Sequence, residues 1–492
     1  MKDSPRIAVI GAGVGGLTAA ALLLKAGYAV TVLEAHVYPG GSAGTFFHKG
    51  YRFDAGATLA GGFFAGGAGP AGPHARVAEM LGLTWPVTPV DPAWVVHLPD
   101  RAITQWSGRA AWEAERQEKL PGTESFWHTQ EKLARLSWDI SARDFPWPPG
   151  SPRDVLALAR ALRPSTLAAA PYLLRTVGDM GGPSDPVFSA FLDAQLLISA
   201  QTTAEKANAL YGSAALDLPR RGVYHVRGGI GSLAGTLADW LQENGGVLHT
   251  RQQVTSLTVR PDGRKLLRTQ KGMEIESELV LANLTPWGLA ALLGEEAPDR
   301  LRRDVAQRPA TWGAFTLYLG LAVDRLPAGI ADHHQVILDP ARPLGEGNSV
   351  FISLSDAQDE SRAPIGHRAA TLSTHTAVGP WWEIKERDPA AYEARRAAYA
   401  ERMLAAAERA VPGLRAAVQL CLPGTPITFQ RYTRRPQGMV GGFAQESLFA
   451  ARGPATGLPG VWLVGDSIFP GQSTAGVTTG AIRVAREVLN SL

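Results

Sequence analysis

The sequence predicts an α/β fold in which a parallel-sheet domain is assembled from three separated stretches of chain, with an α+β domain inserted in two parts. Three observations carry this. The apolar run Arg6–Ile10 passes directly into six residues of which four are glycine, and then into an Ala/Leu-rich stretch. β-rich apolar runs of the same kind recur in the middle of the chain and near its end. Between them the apolar spacing is mostly helical and interrupted by proline.

Taken in order, Arg6–Ile10 has the continuous apolar character of a strand buried on both faces. Residues 17–26 read as a helix closed by Gly27 just past its end, where a left-handed residue is favoured. Residues 28–33 read as the next strand, with Glu34 at its end, which completes a βαβ unit. The stretch 56–73 is too glycine-rich for regular structure, and from there to about residue 220 a mostly helical region is expected. A helix over 232–243, a turn at 244–246, strand Val254–Val259, a hairpin turn at Asp262-Gly263 and a strand over 277–282 follow. Strands are expected over 312–321 and 349–354, a long helix over 390–410, a strand over 461–464 and a closing helix over 476–489. The resulting division is 1–75, 222–285 and 425–492 for the parallel-sheet domain, and 76–221 with 286–424 for the inserted one.

Composition narrows the class. At 492 residues the chain has room for two or three domains of about 100–200 residues. A formal charge of +3 from 48 basic and 45 acidic residues, without a basic cluster, argues against a nucleic-acid partner. An apolar share of 45% suits a globular protein. The single cysteine, Cys421, excludes an intramolecular disulfide and any site built on several Cys ligands, as fits a reducing compartment. No apolar run reaches the roughly 18–20 residues that span a bilayer, and the N-terminus lacks the parts of a cleaved leader. The expected location is therefore cytoplasmic, with peripheral contact at the inner face of the membrane left open.

Gly11-Ala12-Gly13-Val14-Gly15-Gly16 fits G-x-G-x-x-G. Gly11 permits the tight turn, Gly13 lets backbone N–H groups approach a pyrophosphate, and Gly16 lets the helix lie close to the strand. Glu34 stands near the spacing expected for an acid on ribose hydroxyls. NAD and FAD sites both use this unit. Three later features favour FAD: the glycine pair Gly40-Gly41, the strand-ending Gly465-Asp466, and a helix start at Gly476 that can face the flavin pyrimidine ring.

On these blocks the chain resembles the superfamily of flavin-containing amine oxidases and phytoene desaturases. The similarity continues through "FDAGATLAGG" at 53–62, "LVLANLTPW" at 279–287, "RYTRRPQGMVGG" at 431–442 and the C-terminal "GDSIFPGQSTAGVTTGAIRVAREVL". The segments at 115–127, 312–320 and 373–376 are similar to carotenoid 3,4-desaturases of the cyanobacterial type. The resemblance implies non-covalent FAD held by Gly11, Gly13, Gly15, Gly16, Glu34, Gly41, Val254, Gly465, Asp466, Gly476 and Val477, with Val254 acting through its backbone near the adenine. Val14, Ala35, Gly40 and Ser42 complete the cofactor-binding set, and Gly56, Ala57 and Thr58 are expected near the isoalloxazine. Ser42 stands where many relatives carry Arg, so only a backbone contact is carried over there.

The implied reaction is desaturation at C-3,4 near the end of an acyclic or monocyclic, 1-hydroxylated carotenoid. Flavin N5 would accept the hydride, with oxygen or a quinone as electron acceptor. Alternatives on the same motifs are a carotene cis–trans isomerase using reduced FAD, an amine or porphyrinogen oxidase, and a non-catalytic lipid-binding escort.

No acid–base pair stands out. His225, His375 and the pair His333-His334 are candidates by type only, without a carboxylate at local spacing, so surface or core roles compete. No metal-ligating cluster and no G-x-S-x-G are present. Arg431 and Tyr432, in a run with Arg434 and Arg435, are the catalytic candidates: they could orient a substrate hydroxyl or reach the flavin edge, or form a solvated basic patch. Over 155–177, Leu and Val interleave with arginines, which reads either as a membrane-docking surface or as an ordinary amphipathic helix pair packed on the inserted domain.

Overall fold

The computed structural model describes residues 5–66, 71–143, 145–308 and 312–491. Its first sheet is fully parallel, in the order Val247–His249, Ala29–Leu33, Arg6–Ile10, Leu279–Ala282, Val461–Leu463. Ile7, Ala8 and Val9 have virtually no exposed surface, as expected of a central strand covered on both faces. Helices Val14–Lys25, Gly231–Glu243 and Ser473–Ser491 pack together over this sheet. All five strands fall within the three stretches read from the sequence.

The order has a switch point. Chain from Arg6–Ile10 goes to one side, into Ala29–Leu33, while Leu279–Ala282 lies on the other side. In such sheets ligands bind in the crevice beyond the carboxyl ends of the two diverging strands. Gly11 and Asn283 stand at that place, immediately after their strands.

The second sheet has seven strands in the order Val418–Gly424, Gly313–Ala322, His367–Thr376, Ser349–Leu354, His333–Ile337, Trp94–His97, Ala102–Gln105. One face packs on helix Pro389–Ala410 through Leu317, Leu319, Val336, Ile352 and Met403. The opposite face meets a helical cluster in which Phe351, Trp94 and Ile337 are buried with Phe191.

Several sequence expectations need correction. The region expected to be helical up to about residue 220 contains strands Val87–Val90, Trp94–His97 and Ala102–Gln105. Each has four residues, too few for period-2 alternation to show. The single strand expected over 277–282 is two, Glu274–Ser277 and Leu279–Ala282, divided at Glu278, whose carboxylate accepts from Arg6 N at 2.6 Å. The expected loop 56–73 includes the short strand Ala60–Gly61, paired with Val223–Val226, and its residues 67–70 lie outside the described residues. The closing helix begins at Ser473, so Gly476 lies in its first turn. Over 155–177 the chain forms helices Pro152–Ala161 and Pro164–Leu167, and neither buries a residue. They are held to the neighbouring helix by Arg143, which donates to Ala161 O and Thr166 Oγ1, and Ala169 and Val177 further on are buried in the helical cluster. No helix among the described residues is long and apolar enough to cross a membrane.

Candidate functional site

The glycine turn is set by steric exclusion. Gly11 has φ +93°, open to glycine and costly for other residues. A β-carbon on Gly16 would stand 2.4 Å from Gly11 O, so helix Val14–Lys25 can lie against the turn only with glycine there. The first N–H groups of that helix have no acceptor within it and face the crevice as anion donors.

Asn283 closes the crevice from the neighbouring strand. A β-carbon on Gly13 would lie 2.5 Å from its side-chain amide, and one on Gly465 2.7 Å away. With its oxygen toward the turn, this amide accepts from Gly13 N at 3.1 Å and donates to Val464 O at 3.3 Å. Sequence reasoning did not single out Asn283; its position after the strand beyond the switch point was the available signal.

Glu34 is 8% exposed, and its two oxygens accept from Ala12 N and His36 N, both at 2.7 Å. An ionised carboxylate has about four acceptor positions, so two remain for hydroxyl donors. Gly40 N donates to Ala12 O at 2.8 Å and brings the second glycine pair against the first, with Gly41 beside Gly13. Gln252 N donates to Glu34 O, which sets Val254 two residues from the same end. Arg431, Tyr432 and Arg434 line a small pocket there with Ala35 and His36. The structure thus places Arg431 and Tyr432 beside Ala35 and His36, next to Glu34.

The opposite end joins the C-terminal block to the rest. A β-carbon on Gly15 would lie 2.8 Å from Val477 Cγ1 and 3.2 Å from Gly465 Cα, so Gly15, Gly465 and Val477 form one contact. Asp466 pairs with Arg435 at 2.9 Å, and Arg435 also donates to Met439 O and Gly441 O. Gly441 lies against Gln201 and Gln472.

The segment 54–58 lies between the two sheets. Ser42 O accepts from Ala57 N at 3.1 Å, and a β-carbon on Gly56 would meet Ser42 O at 2.9 Å. Tyr318 Oη donates to Ala55 O at 2.6 Å and Thr371 Oγ1 to Asp54 O at 3.2 Å, which ties the segment to the seven-stranded sheet. Asp54 accepts from Thr45 Oγ1, Ile230 N and Arg362 Nη2. Ala57 is exposed and Thr58 half-buried.

The histidines resolve into two kinds of environment. His225 Nε2 lies 2.8 Å from Asp332 Oδ2, a carboxylate partner that local spacing could not reveal. Burial works against ionisation of Asp332, yet hydrogen bonds from His225 and Arg368 hold its carboxyl down at about 2. His333 is buried beside His225, bonded to Ser353 Oγ at 2.9 Å, and burial lowers it to about 3. Burial likewise brings His334 and His375 to about 4. No group of three or more His, Cys, Asp or Glu side chains able to hold a metal occurs among the described residues.

Comparison with known proteins gives the same architecture. Residues 14–489 match the family described as flavin containing amine oxidoreductase. The carrot (Daucus carota) chloroplastic prolycopene isomerase is 27% identical over 98% of this chain and 80% of its own. The neurosporene-forming phytoene desaturase of Cereibacter sphaeroides is 23% identical over 99% of this chain and 95% of its own. The crystal structure of an oxidoreductase from Methanosarcina mazei superposes with a TM-score of 0.65 at 18% identity, covering 98% of this chain and 100% of that one.

FAD is the cofactor of this fold, and the residues present fit it. Glycines keep the turn at Gly11–Gly16 free of large side chains, Asn283 closes it from the neighbouring strand, and Glu34 keeps acceptor capacity at one end. The buried atoms Thr474 Oγ1 and Gln201 Oε1 have no hydrogen-bond partner among the described residues. From residue 14 to residue 489, this chain belongs to the flavin-containing amine oxidoreductase family.

Proposed function

We propose that the protein is an FAD-dependent enzyme acting on a carotenoid, and that it introduces a C-3,4 double bond near the end of an acyclic or monocyclic, 1-hydroxylated chain. The observation that carries this reading is one continuous dinucleotide cradle, whose segment 54–58 is fastened to the seven-stranded sheet of the inserted domain. Relatives named for carotenoid reactions match nearly the whole chain, which supports the choice of substrate.

When bound, FAD supplies a two-electron acceptor at N5. The chain's own part is orientation and exclusion of water. Tyr318, Thr371 and the Asp54–Arg362 pair hold the segment expected beside the ring against the sheet. A cation left by hydride loss from a polyene is delocalised along its length, so no strong electrophile is required of the side chains.

A second reading is cis–trans isomerisation with reduced FAD, favoured by the match to the carrot prolycopene isomerase. One experiment separates the two. Purified FAD-loaded protein is incubated with hydroxylated monocyclic carotenes, acyclic carotenes and cis-lycopenes, with oxygen or a quinone as acceptor, and products are read by mass and absorbance. Loss of two hydrogens with a red-shifted spectrum is the expected result. An altered isomer at unchanged mass supports the second reading, and no change with any carotene overturns both.

A further inference from the structure

Strand His333–Ile337 presents His334 and Val336 to one face of the seven-stranded sheet, and His333, Gln335 and Ile337 to the other. Val336 packs with helix Pro389–Ala410, whereas Ile337 is buried in the helical cluster, which tells the two faces apart. Pairing sets His333 opposite Ser353 and Gln335 between Phe351 and Val96. Trp94, two residues before Val96, shares that face. The ring of Phe351 joins the group, at 6.3 Å from His333 and 6.4 Å from Trp94 between centroids.

Trp94 Nε1, His333 Nε2 and Gln335 Oε1 are buried and have no hydrogen-bond partner among the described residues. None of the three residues is more than 8% exposed. Neighbouring bonds decide which atoms are left over. Gln335 Nε2 donates to Ala194 O at 3.1 Å, so the amide oxygen is the free one. His333 Nδ1 lies 2.9 Å from Ser353 Oγ, which leaves Nε2. His334, on the other face, is met at both nitrogens, by His97 and by Ala331 O. Unpaired buried polar atoms are costly, and three on adjoining positions of one face mark a place where another molecule completes the bonds.

The chemistry of that molecule follows from the set. Trp94 is a donor, Gln335 Oε1 an acceptor, and His333 Nε2 either one according to tautomer. Burial lowers His333 to about 3, so its imidazole is neutral and the set carries no charge. A hydroxyl, which both donates and accepts, matches this pattern; a carboxylate or phosphate does not. The place also adjoins the segment expected beside the ring. Tyr318, Thr371, Ser353 and His333 are paired in one row across four strands. Segment 54–58 is bonded to the first two, and two residues beyond it Ala60 pairs with Tyr224. The next residue, His225, has its ring 5.1 Å from that of His333.

We propose, resting on the reading of a carotenoid substrate given above, that Trp94, His333 and Gln335 form the subsite for a hydroxyl group on the substrate and set a preference for hydroxylated over unsubstituted chains.

The test uses the full-length, FAD-loaded protein and two carotenes that differ only in a 1-hydroxyl group. Binding is read from quenching of tryptophan fluorescence and turnover from product mass. The wild type is expected to bind the hydroxylated carotene at least about tenfold more tightly, because the other leaves all three atoms unpaired. Trp94→Phe and Gln335→Met should each bring the ratio of the two affinities to within about threefold, with flavin absorbance retained. A merely structural role would weaken both ligands alike and leave the ratio at its wild-type value, which overturns the subsite. Equal wild-type affinity for both carotenes, as a trapped water alone would give, overturns it as well, whether or not either is turned over. A preference without turnover of either compound supports the subsite and counts against the desaturation instead. Binding of neither carotene overturns the subsite together with the carotenoid reading.

Discussion

Gly476 leaves no room for a substituent, because a β-carbon there would stand 1.7 Å from Gly471 O. Gly476→Ala must displace the first turn of helix Ser473–Ser491, at a cost of about 1–3 kcal/mol. The expected outcome is a lower unfolding temperature and purified protein with reduced flavin absorbance. Glu34 makes a different kind of contact, a buried carboxylate accepting from two backbone N–H groups. Glu34→Gln keeps the shape but loses the charge and gains two donors, so FAD affinity should fall about tenfold, measured by quenching of flavin fluorescence on titration. The glycine motif and Glu34 were legible in the sequence because turn, helix start and acid follow one another within one βαβ unit. Asn283 and the pairs Arg435–Asp466 and His225–Asp332 were not, since the paired residues are 31 and 107 positions apart and meet only once the sheets form.

Segment 54–58 is fixed by side chains from three other elements. Arg362 and Asp54 form a buried ion pair at 3.0 Å, and Asp54 also holds Thr45 and Ile230 N. Arg362→Met leaves that carboxylate buried without its cation and should cost about 3–5 kcal/mol, read from urea unfolding. The double variant with Asp54→Asn should recover part of the loss, because the uncompensated charge is gone. The first βαβ unit and the 390–410 helix were readable as elements, the latter found at Pro389–Ala410. The Trp94–His97 and Ala102–Gln105 strands were not. Trp94–His97 gains stability from pairing with His333–Ile337, a partner more than two hundred positions away, and Ala102–Gln105 pairs in turn with Trp94–His97, so four-residue runs by themselves do not announce either strand.

At the scale of the whole molecule, buried histidines set the response to acid. Burial lowers His74 and His333 to about 3 and His334 to about 4, and all three are almost fully covered. The unfolded chain takes up these protons near pH 6.5, whereas the folded chain remains neutral until much lower. The unfolded state therefore binds more protons in between, and stability rises with pH through this window. It is complete above about 6.5 and is lost as pH falls, at up to about 2 kcal/mol for each histidine at pH 5. Asp332 adds a further loss between its usual value of 3.8 and about 2. Unfolding temperature measured from pH 8 to 4.5 should fall steeply below pH 6.5, and His74→Phe should reduce the slope by about one proton.

The parallel sheet receives its last strand, Val461–Leu463, only after all strands of the seven-stranded sheet have been made. During synthesis the Leu279–Ala282 edge must wait, unpaired, for more than one hundred and fifty residues to emerge. The nascent chain is therefore most exposed to misassociation late in translation, and Ser473–Ser491 acts as the keystone that ends this vulnerable interval.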